Sequence, residues 1–148
     1  HETFYARESA ADRGFDLDVL WWHEAPFHYG HVNNAVWVQW MEVLAVAHWE
    51  AVAPPEHQAR YVWLLTRHEI DYRGNIREGE QVTGETWVPE GPRGVRFHRR
   101  IDFRDDAGKV LVSARSTWAM IERETGRLSR IAPEVAAPFL TAPDEAAD

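Results

Sequence analysis

The chain predicts an α+β domain, a curved antiparallel sheet wrapped round one long central helix. Three observations carry this. A single stretch, residues 35–53, has the apolar spacing of a helix. Five other stretches alternate apolar and polar residues as strands do. The order is strand, helix, then four strands, and one amphipathic helix among strands is buried most simply under one antiparallel sheet. With 148 residues the chain fits one domain able to bury a substantial core.

Residues 1–14 are charged and aperiodic, and read as a loose lead-in or a short helix ahead of a domain spanning 15–140. In 15–23, Phe15, Leu17, Val19 and Trp21 alternate with Asp16, Asp18 and Leu20, which predicts the first strand. Residues 24–34 hold Pro26, Gly30 and two asparagines, a loop composition. Asn33 or Asn34 suits the N-cap of the helix that follows. At 100° per residue from Val36, the side chains of Trp37, Trp40, Met41, Leu44, Ala47 and His48 fall on one broad face. Pro54-Pro55 ends the run, because proline cannot continue the ladder.

Strand patterns follow. Residues 61–72 put Val62, Leu64, Thr66, His68, Ile70 and Tyr72 on one face. After the turn Arg73-Gly74-Asn75 comes 80–88. Val95, Phe97, Arg99, Ile101 and Phe103 mark the next strand, beyond the turn Gly91-Pro92-Arg93-Gly94. Val110, Val112, Ala114, Ser116, Trp118 and Met120 mark the last, beyond Asp105-Asp106-Ala107-Gly108. These four read as a meander. From Ala132 a short helix is expected, then a frayed tail over 141–148. The sheet edges would stay open, and pairing them between chains is the usual remedy.

Composition excludes several functions. The formal charge is −8 and the pI near 5.4, which disfavours nucleic acid held by bulk charge. Absence of cysteine removes disulfides, thiolate nucleophiles and cysteine-ligated metals. No stretch reaches the roughly 18 apolar residues of a membrane span, and the first residues lack the apolar core of a signal peptide. A cytoplasmic protein without membrane contact is expected. His23, His28 and His31 cluster in the loop, but no His-Glu-x-x-His spacing accompanies them, so neither a metal nor a cofactor is expected.

The most specific segment is Tyr29-Gly30-His31-Val32-Asn33-Asn34-Ala35-Val36-Trp37-Val38-Gln39-Trp40-Met41-Glu42. It resembles the hot-dog-fold acyl-CoA and acyl-ACP thioesterases, the 4-hydroxybenzoyl-CoA thioesterase-like group. The strand Arg67-His68-Glu69-Ile70-Asp71-Tyr72-Arg73 and the stretch Thr117-Trp118-Ala119-Met120-Ile121 extend the resemblance over about 15–139. It implies a hot-dog fold, a homodimer or homotetramer, and hydrolysis of an acyl thioester carried on coenzyme A or acyl carrier protein. The leading reading is an acyl-CoA thioesterase. The alternative is a non-catalytic acyl-thioester-binding or scaffold module, and enoyl-thioester hydration ranks last. This sequence departs from the family pattern in four places. Phe27 and Ala25 stand where relatives carry a loop acid, Tyr29 where acyl-ACP relatives carry Asn, and Asn75 where they carry Glu.

Candidate residues follow from both arguments. A helix N-terminus offers free N–H groups and partial positive charge to an oxyanion, so the backbone amides of Asn34, Ala35 and Val36 are a candidate cradle. The resemblance places Tyr29, Asn34, Ala35, Val36 and Trp37 around the acyl thioester. Glu42 is the leading replacement for the missing acid, as base or nucleophile. It falls roughly 240° round the helix from Val36, away from this chain's own sheet. Glu24 in the loop is the second carboxylate, and His31 can orient substrate or act as base. Asn33 joins them as a catalytic candidate, although capping alone explains it. Arg93 and Arg96 are candidates for coenzyme A phosphates, since arginine forks match phosphate oxygens. The bland reading makes Arg93, Arg96, Arg99, Arg100 and Arg104 the solvated face of a strand. Eight tryptophans can serve packing, an apolar acyl tunnel, or both.

Overall fold

The computed structural model describes residues 2–7, 15–21, 31–77 and 79–140. Within them the elements run β1 (Glu2–Arg7), β2 (Phe15–Trp21), α1 (Asn34–Val52), α2 (Pro55–Arg60), β3 (Tyr61–Tyr72), β4 (Gln81–Trp87), β5 (Arg96–Arg104), β6 (Val110–Glu122) and α3 (Pro133–Ala136). The described strands form one antiparallel sheet in the order β1-β2-β4-β5-β6-β3. One helix lies against one such sheet, the α+β hot-dog arrangement. The tail 141–148 lies outside the described residues.

Residues 2–7, expected as lead-in or short helix, are instead the edge strand β1, paired along β2. The expected meander holds only for β4, β5 and β6. β3 lies beyond β6, its residues paired from Tyr61↔Glu122 to Tyr72↔Val112. The connection from β3 to β4 must therefore cross the sheet, and it passes the start of α1, where Arg77 bridges His31. The strand pattern could not reveal this, because any of the alternating stretches can pair with any other.

Trp37, Trp40, Met41, Leu44 and His48 of α1 are all buried. The first four cluster with Val82, Ile101, Phe103, Leu111, Val112 and Ala114 of the sheet, while His48 meets Phe15 and Phe139. Trp37 meets Trp40 edge-on at 5.0 Å and Phe103 at 5.2 Å. Gly84 makes room for this packing: a Cβ there would sit 2.8 Å from Phe103 Cε1 and 3.0 Å from Leu44 Cδ2. Pro54-Pro55 ends α1, and Pro55 opens α2 as its first residue, where a missing N–H costs nothing.

The single-face reading of β3 fails midway. A register shift between Leu65 and Arg67 moves the buried set from Trp63 and Leu65 to His68 and Ile70. Leu64 is left 50% exposed. One extra residue in a strand reverses which side chains face inward. Arg99 is the second correction to a surface reading. It alternates with Phe97 and Ile101 on the inward face of β5 and is 3% exposed.

Candidate active site

Asn33 caps α1. Its side-chain oxygen accepts from Ala35 N–H at 2.9 Å, and its carbonyl accepts from Val36 N–H at 2.9 Å. These bonds correct the expected cradle, because the amides of Ala35 and Val36 are already occupied. The Asn34 N–H carries no hydrogen bond among the described residues. Trp37 is fully buried in the core and offers no surface to a ligand, because its wheel position turns it under the sheet. Val36 packs against that core half-buried, and Ala35 is exposed.

The backbone before the helix is held from the crossing connection. Asn75 Oδ1 accepts from Val32 N–H at 3.1 Å, and Asn75 Nδ2 donates to Val32 C=O at 2.9 Å. The Tyr72 hydroxyl reaches Asn34 C=O at 3.4 Å, and burial raises its pKa. Asn75, noted in the sequence only as a departure, is thus the residue that positions the start of α1. His31 is exposed and bridges Arg77 through the backbone. Glu24 and Tyr29 lie outside the described residues, as do His23 and His28. Among the described residues no group of three or more His, Asp or Glu side chains converges on a possible metal position.

Glu42 is exposed, as the helix wheel predicts. Glu42 is near enough for its charge to raise the pKa of His68, against a larger lowering by burial. His68 Nδ1 is hydrogen-bonded to the buried Ser116 Oγ at 2.6 Å, while its Nε2 is buried without a partner. A half-buried imidazole with one nitrogen fixed and the other unpartnered can exchange a proton with a small molecule that reaches it. Sequence reasoning placed His68 only on a strand face; its distance from Glu42 in sequence hid the electrostatic influence of one on the other.

Arg93 and Arg96 are not near this site within one chain. They close the β4–β5 turn, bonded to each other through the backbone, and Ile131 N–H reaches Gly94 C=O beside them. That end of the sheet meets the C-terminal half of α1. A helix of this length spans roughly 28 Å at about 1.5 Å per residue, so the two arginines lie at the opposite end from Asn33.

The wrapped helix and its capped start are those of a hot-dog domain. Residues 41–139, more than half of the chain, match the family model for the acyl-ACP thioesterase N-terminal domain. The chain belongs to the acyl-ACP thioesterase family. A chloroplast acyl-[acyl-carrier-protein] hydrolase from Cuphea viscosissima is 30% identical over 74 residues, covering 50% of this chain and 18% of that protein. The structure of an oleoyl thioesterase from Lactobacillus plantarum superposes with a TM-score of 0.73 at 20% identity, over 84% of this chain and 49% of that one. A hypothetical protein from Staphylococcus aureus, solved in complex with CoA, gives 0.74 at 12% identity, over 96% and 97%. The chain thus spans under a fifth of the curated relative and half of the oleoyl thioesterase. No helix among the described residues is long and apolar enough to cross a membrane.

Proposed function

We propose that this chain hydrolyses an acyl thioester, with Glu42 as general base and a second copy of the chain completing the site. The observation that carries the reading is that the charge of exposed Glu42 is felt by half-buried His68, whose Nε2 has no partner. Burial keeps His68 an uncharged imidazole near neutral pH, able to hold a water. Glu42 takes a proton from that water as its oxygen adds to the carbonyl carbon. The tetrahedral oxyanion then collapses, the C–S bond breaks, and the leaving thiolate takes the proton. His31, at the start of the helix, orients the substrate.

The Asn34 N–H is the donor left for the oxyanion. Asn34 and Glu42 are about 12 Å apart along the axis at about 1.5 Å per residue, too far to touch one carbonyl. A second copy brings one chain's Glu42 to the other's Asn34. β3 supplies the means: it is a sheet edge of 12 residues. Leu64 and Tyr72 on it, and Val43 and Val46 on α1, are exposed apolar residues that a partner would cover.

Family membership favours acyl carrier protein as the carrier, and the CoA complex of the Staphylococcus aureus neighbour supports coenzyme A as the alternative. Thiol release from matched acyl-ACP and acyl-CoA series tests both. Glu42→Gln is expected to lower kcat by about 100-fold or more, and His31→Ala mainly to raise KM. Turnover on neither carrier overturns the hydrolase reading, and saturable binding without turnover assigns the binding-module alternative.

A further inference from the structure

The basic run that begins at Arg93 divides between the two faces of the sheet. Arg99 points inward, where its Nη1 donates to His48 Nδ1 at 2.8 Å, and among the described residues it forms no ion pair. Arg93 and Arg96, far from the candidate active site, point the other way. Arg96 stands opposite Ala119 of β6, and residues directly opposite share a face. Ala119 alternates with Met120, which is buried with Tyr61 and Ile131 on the side where Trp49 of α1 packs. Arg93 is bridged to Arg96 and shares its face. Ile121, two residues beyond Ala119, also lies outward, opposite Val62 of β3 and bridged to Leu128 on its other side. Arg130 joins them, because Leu128 and Arg130 alternate with Ser129 and the inward Ile131.

The side of the sheet away from α1 therefore carries an apolar row, Val62, Ile121 and Leu128, beside three arginines. Leu128 is 54% exposed. Arg96 and Arg130 form no ion pair among the described residues. Arg93 reaches only Glu90, at 4.0 Å, and Glu90 is held closer by Arg115, at 3.0 Å. We propose that this face docks on an anionic lipid bilayer, Leu128 entering the acyl boundary and the guanidiniums of Arg93, Arg96 and Arg130 meeting lipid phosphates. Arginine suits that place, since its fork matches phosphate oxygens and its stem tolerates apolar surroundings. A peptide or helix partner is recognised in a groove, whereas a bilayer accepts a side chain that projects. A second copy stacked on this face about a two-fold axis would set the arginines against themselves. The formal charge of −8 turns the rest of the chain away from an anionic surface, so this end leads.

The face is separate from the edge proposed for the second copy. Leu128 lies two strands in from that edge, across β6 and β3, roughly 10 Å at about 4.8 Å per strand. Leu64, beside Val62 on β3, borders the row and is not needed for it. The expectation of no membrane contact came from the absence of a spanning stretch, and docking on a surface requires none. The inference does not rest on the hydrolase reading, because its measurement is binding to lipid. If the chain hydrolyses acyl thioesters, docking would deliver the released acid to the bilayer.

Sedimentation of the full chain with vesicles tests it, using phosphatidylcholine alone and phosphatidylcholine mixed with phosphatidylglycerol. Binding is expected on the mixed vesicles only, and is expected to fall as salt rises. Arg96→Glu combined with Arg130→Glu should lower it roughly tenfold or more. Tm should not change, because both side chains are exposed. The chain has no cysteine, so Leu128→Cys takes a single environment-sensitive fluorophore. Its emission should shift to the blue on mixed vesicles. The same label on Asp106→Cys, in the turn at the far end of β5 and β6, should not shift. Equal binding to both kinds of vesicle, undiminished binding of the double variant, or an unshifted label at position 128 overturns the proposal. Saturable binding of poly-glutamate in solution without vesicle binding also overturns it, and assigns the face to an acidic protein.

Discussion

Asn75 grips Val32 through both groups of its amide, accepting from the Val32 N–H and donating to the Val32 C=O. The same oxygen accepts from Ile76 N–H at 2.8 Å. One side chain therefore ties the β3–β4 connection to the start of α1. Asn75→Asp keeps the acceptor and loses the donor; Asn75→Ala loses both. Stability by urea unfolding is expected to fall in that order, by about 1–3 kcal/mol for Ala. Thioester turnover should fall further than stability explains, because the position of Asn34 depends on this grip.

The N-cap gives an independent check on the same region. Asn33→Ala removes the bond to Ala35 N–H and is expected to cost about 1 kcal/mol. Asn33→Asp retains an acceptor at the positive end of the helix and should keep the wild-type Tm. A large Tm loss in the Asp variant would show that the side-chain amide does more than cap.

His48 makes stability depend on pH. Its folded pKa is about 3, against 6.5 as its ordinary value. Between those values the unfolded chain takes up a proton that the folded chain refuses. Its contribution is thus complete above pH 6.5 and is lost as pH falls towards 3, by up to about 1.4 kcal/mol per pH unit. His68, also lowered by burial, acts in the same direction. His48→Gln keeps an acceptor for Arg99 without a titrating group. Its urea midpoint is expected to vary less between pH 6.5 and 4 than that of the wild type.

Gly84 on β4 lies under Leu44 of the helix and Phe103 of β5. Gly84→Val puts carbon into space held by Phe103 and Leu44. A loss of about 1–3 kcal/mol is expected from thermal unfolding. Shortening Leu44 to Ala in the same chain should recover part of it, since the two substitutions share one space.

The open edge of β3 predicts association. Leu64→Lys places a charge on an exposed edge residue that contributes nothing to the core. Sedimentation should show a dimer for the wild type and a smaller species for the variant, with thioester turnover lost in parallel. A wild-type monomer with full turnover would remove the second copy from the proposed site.

Much of the architecture was legible in the sequence because it depends on local periodicity. The buried face of α1, the cap at Asn33, the proline stop and strands β2 to β6 all follow from spacing that neighbouring residues impose on one another. The segment from Tyr29 to Glu42 was specific enough to name the family. What the sequence could not supply was every relationship between distant segments. The edge position of β3 was hidden, because alternation says that a stretch pairs and not with what. The bulge after Leu65 was hidden too, because it changes facing without changing composition.

The candidate site divides in the same way. Glu42 and His31 could be picked out in the chain, since residue type and motif mark them. His68 could not, because its bond to Ser116 and its half-buried position come from strands β3 and β6 pairing across the chain. Arg99 read as one cation in a basic run, and only the inward pleat of β5 and the cover of α1 made it a buried charge. Local chemistry is fixed by covalent neighbours, so the sequence determined the helix, its cap and the kinds of reactive group present. Burial and pairing are fixed by long-range packing, so the tertiary structure alone decided which of those groups meet and which is left without a counter-ion.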